Sequence, residues 1–234
     1  MGAVFSREMQ AYFRASLGYA YLGVVFLFTG LYFFAYNLYA GMADLAQLFS
    51  VLFSVVLFLV PILTMRLLSE EKRQKTDQLL LTAPVTGAGI VAGKYFSAMC
   101  VYAAGTAVTL LDALVLSAFA PVNWALALGN FLGLLLLGAA LIAVCLFVSS
   151  LTESQLVAAV SSFTVSIALI LMKSLEPMAG SELLRQLLGA VNFFTRYEPF
   201  TRGIVSLENT VFFLSVAALF TSLTTLRLER GRWA

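Results

Sequence analysis

Few side chains in this sequence are placed to do chemistry. Asp112 is the one acid that falls within a long apolar run. It lies 18 residues after Lys94, about 27 Å of helical rise, which puts it near the far end of its helix. A carboxylate inside a membrane segment is a functional candidate in its own right. At that shallow depth, solvent or a neighbouring Ser or Thr also satisfies it, so a structural role and a role in gating or substrate passage both stand. One Asp does not make an aspartyl protease, which needs two carboxylates sharing a proton. The chain has no histidine, which removes Ser–His and Cys–His nucleophile pairs, HExxH zinc sites and histidine-ligated haem together. Cys100 and Cys145 both lie in apolar stretches without a CxxC partner and read as buried, inert thiols. Neither a GxxxxGK[ST] loop nor a dinucleotide fingerprint is present, so this chain does not bind a nucleotide through a Walker loop of its own.

A second group of residues suits partner contact. Glu70-Glu71-Lys72-Arg73-Gln74-Lys75 is followed by Thr76-Asp77, a helix start, then by Leu79-Leu80-Leu81 and the stop signal Pro84. Three consecutive leucines beside so many charges need a cover: the protein's own helices, the lipid interface, or a groove on a partner. Small residues form a third group. Gly129 and Gly133 have GxxxG spacing, and Gly138-Ala139-Ala140 extend that face. With Ser161, Ser162, Thr164 and Ser166 they favour close helix packing over a substrate path.

These residues are positioned by membrane-spanning helices. Hydrophobic residues make up 61% of the 234 and charged ones 11%, against about 45–50% and 25% in soluble domains. Mean hydropathy is +0.95. A soluble fold of this size cannot hide so much apolar surface, so the composition predicts an all-α integral membrane protein. Six runs are long enough to cross a bilayer: Leu17–Tyr39, Leu45–Leu67, Tyr95–Ala118, Trp124–Val148, Leu156–Met172 and Thr210–Leu226. The first begins after Arg7 and Arg14 and reads as a retained helix, not a cleaved signal.

With six spans, Arg7, Arg14, Arg66, Lys72, Arg73, Lys75, Lys94, Arg227, Arg230 and Arg232 share one side, and only Lys173, Arg185, Arg196 and Arg202 take the other. Ten basic residues against four place both termini in the cytoplasm. The same distribution explains the basic residues without nucleic acid. Residues 1–16 carry Val4, Phe5, Met9, Tyr12 and Phe13 among charges and suit an amphipathic helix at the interface. Residues 69–94 form the one sizeable cytoplasmic loop, with a second helix start at Thr86. The outer loop, 173–209, predicts a helix from Ser181, a break near Pro199 and a short second segment, together a re-entrant helix pair before the last span. The whole chain, 1–234, reads as a single transmembrane domain.

At the cytoplasmic loop the sequence becomes specific. Glu70 through Val85, followed by Ile90-Val91-Ala92-Gly93-Lys94-Tyr95, resembles the ABC-2 type transporter permeases. Their loop after the second helix has an acidic-basic cluster, Gly-Thr, an acidic residue, a leucine run, Ala-Pro, and Gly-Lys entering the third helix. Lys75 stands where that family usually has glycine, and Asp77 where glutamate is commoner. Ser6-Arg7-Glu8 with Tyr12-Phe13 and Leu17-Gly18-Tyr19, and Asn192-Phe193-Phe194 with Phe200-Thr201-Arg202-Gly203-Ile204, are similar to the gliding-motility-associated branch of these permeases.

The resemblance implies a non-enzymatic half-transporter of the bacterial inner membrane, an exporter in which two copies, or one copy and a related permease, form the path. ATP and Mg would be bound by a separate cytoplasmic ATPase, and this chain would carry no cofactor. The loop helix would seat in a groove on that ATPase, with Glu71, Thr76, Asp77, Leu79 and Leu80 as the coupling residues. An auxiliary membrane protein with a large outer domain is a further implied partner. The competing readings are an ion-gradient-driven secondary transporter, which wants more intramembrane ionisable groups, and a non-transporting scaffold.

Overall fold

The computed structural model describes residues 1–42, 44–74, 86–175, 189 and 191–233. Among them every regular element is helical. In chain order these are α1 (Gly2–Arg14), α2 (Leu17–Phe33, ending in a π-helical turn Phe34–Tyr39), α3 (Ala46–Thr64), α4 (Ser69–Gln74), α5 (Gly87–Thr106), α6 (Val108–Ser117), α7 (Trp124–Leu151), α8 (Gln155–Leu175), α9 (Phe193–Thr201) and α10 (Leu207–Trp233). Among the described residues six helical stretches are long and apolar enough to span a membrane: Leu17–Tyr39, Ala46–Gln74, Gly87–Ser117, Trp124–Leu151, Gln155–Met172 and Leu207–Arg230. The protein is an all-α, multi-pass membrane protein.

The spans agree with the apolar runs in number and place, but the second and third are longer than hydropathy indicates. The second continues through the charged residues to Gln74, and the third starts at Gly87, well before Tyr95. Hydropathy marks the part of a helix that lies in hydrocarbon. The backbone hydrogen-bond ladder does not stop there, and it carries the helix on into the charged layer. The start is set by Thr86, whose Oγ1 accepts the Gly89 N–H at 3.2 Å.

α7 is the central post, packing against α3, α5, α8, α9 and α10. Of its most apolar window 72% is buried, against 28% in the first span, 22% in the fifth and 17% in the sixth. The small residues of α7 make this possible. A Cβ at Gly133 would lie 2.5 Å from the Cβ of Phe200 in α9, and one at Gly138 would lie 2.1 Å from the Tyr102 ring of α5. The glycine face is thus a packing face. Tyr102 then uses its hydroxyl to donate to the Leu134 carbonyl at 2.6 Å, which satisfies a polar atom that lipid could not.

Two expectations change. Pro199 does not break the outer segment; it lies inside α9. One proline removes a single hydrogen bond and its φ is helical. The helix ends instead at Gly203, with φ +74°. The Gly203 N–H donates to Phe200 O at 2.9 Å and the Ile204 N–H to Pro199 O at 3.0 Å, the two bonds of a Schellman stop. Cys100 is exposed on the outward side of α5, and only Cys145 is buried. Ala98, Val101 and Tyr102 occupy the inward face of that helix, and residue 100 points away from it. The helix starts expected at Thr76–Asp77 and at Ser181 lie outside the described residues.

α9 is held deep among the spans. Phe193, Tyr197 and Phe200 are buried, and the Tyr197 hydroxyl donates to the Phe49 carbonyl of α3 at 3.1 Å. Asn192 caps α9 by accepting the Phe194 and Thr195 N–H groups. Arg196 pairs with Glu208 and sits 5.6 Å from the Phe212 ring, which ties α9 to the start of α10.

Candidate functional site

Both chain termini meet the same end of the bundle, the end that also carries the loop between the second and third spans. α1 packs against α5. Gly93 provides the close approach, since a Cβ there would lie 3.0 Å from Val4. Four residues on from Val4, on the same face of α1, Glu8 reaches the residue next to that glycine, Lys94. At the other terminus, Glu229 of α10 lies against Gly87, the first residue of α5.

Lys94 is 1% exposed, in a helix that hydropathy alone would begin one residue later. Its ammonium lies 2.9 Å from Glu8 Oε1 and 2.9 Å from Glu71 Oε1, and it donates to the Leu67 carbonyl at 2.6 Å. An ammonium has three protons to donate, and here three acceptors receive them. Arg7 completes the group, 2.8 Å from Glu8 and paired also with Glu71. Two cations and two carboxylates cancel, which is the condition for keeping charge out of water. Burial works against ionisation of Glu8, but the charge and hydrogen bond of Lys94, joined by Arg7, outweigh it and hold the carboxyl below its usual range.

This cluster joins three elements at the base of the loop: α1 through Arg7 and Glu8, α4 through Glu71, and α5 through Lys94. A second tie fixes α4 to α7. Ser149 Oγ accepts the N–H groups of Leu68 and Ser69 at 3.3 and 3.2 Å and donates to Met65 O at 3.1 Å. The Lys72 ammonium bonds the Ser150 carbonyl. Ser149 therefore supplies the polar partners that the turn between α3 and α4 needs at Met65–Ser69.

A family model described as "ABC-2 family transporter protein" matches residues 20–226. The chain belongs to the ABC-2 transporter family. It is a membrane permease component of that family, and the resemblance read from the loop agrees with the match. No curated protein matches the chain.

Of the coupling residues the sequence singled out, Glu71 lies in the described part of the permease, and it sits in the four-charge cluster. Thr76, Asp77, Leu79 and Leu80 lie outside the described residues. Asp112 stands apart from the cluster, on α6. It is partly buried, and its Oδ2 is buried with no hydrogen-bond partner among the described residues. The nearby hydroxyl of Thr109 is committed to Thr106 O at 2.8 Å, so of the two ways of satisfying Asp112, solvent or a Ser or Thr, Thr109 does not supply the second. Sequence reasoning missed the joint roles of Arg7, Glu8 and Lys94. Arg7 and Lys94 served as orientation markers and as parts of the resembling motifs, not as partners. The one signal for more was Glu8 and Lys94 each bordering apolar positions, and only the docking of α1 on Gly93 turns that into a pair.

Proposed function

We propose that this permease is the membrane half of an ATP-driven exporter of the bacterial inner membrane, with both termini in the cytoplasm and residues 1–234 acting as one transmembrane domain. Two copies, or this chain and a related permease, enclose the path. A separate cytoplasmic ATPase binds ATP and Mg and does the hydrolysis. The observation that carries this reading is the convergence of α1, α4 and α5 on one charge cluster, centred on the buried Lys94, at the base of the loop whose sequence resembles the family's ATPase-docking loop. A displacement of that loop would reach Lys94 and Arg7 through Glu71. α1 would lie along the cytoplasmic interface as the amphipathic helix its sequence suggests, and α9 would help to close the outer exit.

In this reading Thr76, Asp77, Leu79 and Leu80 contact the ATPase and Glu71 transmits. The test is co-purification and coupled activity. Asp77→Lys, or Leu79→Ala with Leu80→Ala, should reduce the amount of ATPase that co-purifies or uncouple its hydrolysis from transport. Glu71→Gln should leave docking intact and lower coupling. Full coupling in all of these variants would overturn the loop assignment, and a stable, active protein that never recovers an ATPase would return the gradient-driven or scaffold reading.

Asp112 belongs to gating or to the substrate path. A carboxylate oxygen buried without a donor among the described residues costs stability, and proteins keep such groups where function uses them. Asp112→Asn should raise the unfolding temperature and lower transport. Unchanged transport in Asp112→Asn would take the residue out of the path, and a lower unfolding temperature with unchanged transport would assign it to structure alone.

A further inference from the structure

A pocket of about 390 Å³ opens between α1 and the turn joining α3 to α4, and the four-charge cluster forms part of its lining. That cluster is neutral: Glu8 and Glu71 are committed to Lys94 and Arg7. Glu70 also lines the pocket; it accepts from the neutral Gln74 amide at 3.2 Å and has no cationic partner among the described residues. Beside the Glu70 carboxylate, the remaining charges are the guanidiniums of Arg14 and Arg66, and neither has a carboxylate partner among the described residues, so the lining carries a net charge of one positive. Arg66 is held in place by its position 5.3 Å from the Tyr12 ring centroid. Tyr12 is fixed in turn, buried and donating to Leu63 O at 2.9 Å. The pocket thus presents two arginines against one glutamate beside the neutral cluster, and one of the arginines is pre-oriented.

Its depth in the membrane follows from the spans. Arg14 precedes the first span, which starts at Leu17. Arg66 lies 20 residues beyond Ala46, the start of α3, about 30 Å of helical rise, which is the thickness of a hydrocarbon core. Tyr19, 63% exposed, stands edge-on to Phe13 with centroids 5.1 Å apart, an aromatic pair of the kind that marks the headgroup layer. Both arginines therefore lie at the level of lipid phosphates.

We propose that this pocket binds the phosphate group of an anionic phospholipid from the leaflet on the termini side, clamped between Arg14 and Arg66 under the shelter of α1. The ligand chemistry is a phosphate anion, and the lipid is the source the position favours. A lipid already lies at this depth with its phosphate in place, so seating it costs less ordering than capturing a solute. Arg14 and Arg66, the two groups that would hold the phosphate, are not among the residues assigned to ATPase coupling.

The test is native mass spectrometry of the full chain in mild detergent, titrated with phosphatidylglycerol and with phosphatidylcholine, with inorganic phosphate as competitor. The expected result is preferential retention of phosphatidylglycerol that inorganic phosphate does not displace. Arg14→Gln and Arg66→Gln should each weaken it about fivefold, the effect of roughly one basic residue at an anionic surface. Arg202→Gln, at the opposite end of the bundle, should leave it unchanged. Arg66→Gln also removes the contact with Tyr12, so Arg14→Glu, at an exposed position, provides a variant whose fold does not depend on that contact. Equal retention of the two lipids, or phosphatidylglycerol retention unchanged in Arg14→Glu, would overturn the proposal. Displacement by inorganic phosphate would overturn its lipid source.

Discussion

The Lys94 ammonium lies 2.9 Å from the Glu8 carboxylate, across 86 residues of sequence. This pair fixes α1 onto α5, and it does so at the one place where Gly93 lets the two helices come close enough. The contact is bought with burial of a full charge, and it holds only while every proton on that ammonium has an acceptor. The same condition makes the joint sensitive: any change at Glu8 or Glu71 acts on Lys94.

Glu8→Gln removes one charged acceptor and leaves the shape. The expected loss is about 1.5–3 kcal/mol, the range for a hydrogen bond to a charged group. Thermal unfolding in detergent checks it. Lys94→Met, which leaves Glu8 and Glu71 facing each other across an apolar side chain, should cost more, about 3–5 kcal/mol.

The pH dependence has a definite sign. The Glu8 carboxyl is held below its ordinary value of 4.5 in the folded protein, so the folded state binds its proton less readily than the unfolded chain. Its contribution is fully present above pH 4.5 and is lost as the pH falls through the lower folded value. Unfolding followed between pH 7 and 3 should therefore show a steeper acid loss in the native sequence than in Glu8→Gln. Parallel curves would mean that Lys94 does not stabilise the ionised form.

Ser149→Ala leaves the Leu68 and Ser69 N–H groups and the Met65 carbonyl without the hydroxyl that now serves all three. The expected cost is about 1–3 kcal/mol. If α4 transmits force from the loop, amide exchange at 68–69 should rise more than at the core of α7. Hydrogen-exchange mass spectrometry reads both regions in one measurement.

Gly138→Ala places a methyl group 2.1 Å from the Tyr102 ring. Since the ring is anchored by its bond to Leu134 O, it has no easy retreat, and an overpacking penalty of about 1–3 kcal/mol is expected. Tyr102→Ala on the Gly138→Ala background should cost less than it does alone, because the cavity accepts the added methyl. Strict additivity in that cycle would show that the ring yields.

The sequence by itself determined the membrane class, the six spans, the helix start at Thr86 and the family resemblance of the loop. Each of these is local: a run of apolar side chains, a cap, or a motif is complete within about 25 residues. Burial of an apolar helix in lipid needs no knowledge of its neighbours. Tertiary structure decided the rest. Lys94, at the edge of an apolar run, gives no sign of being buried until α1 and α4 deliver Glu8 and Glu71 to it. The stop of α9 passed from Pro199 to Gly203 because its hydrogen-bond pattern outweighs one missing donor. Cys100 and Cys145 have like surroundings in sequence and opposite exposure in the fold, since a helix in lipid has no polar face to show which side turns inward. Burial of charge depends on partners brought from distant segments, and no window of sequence contains them all.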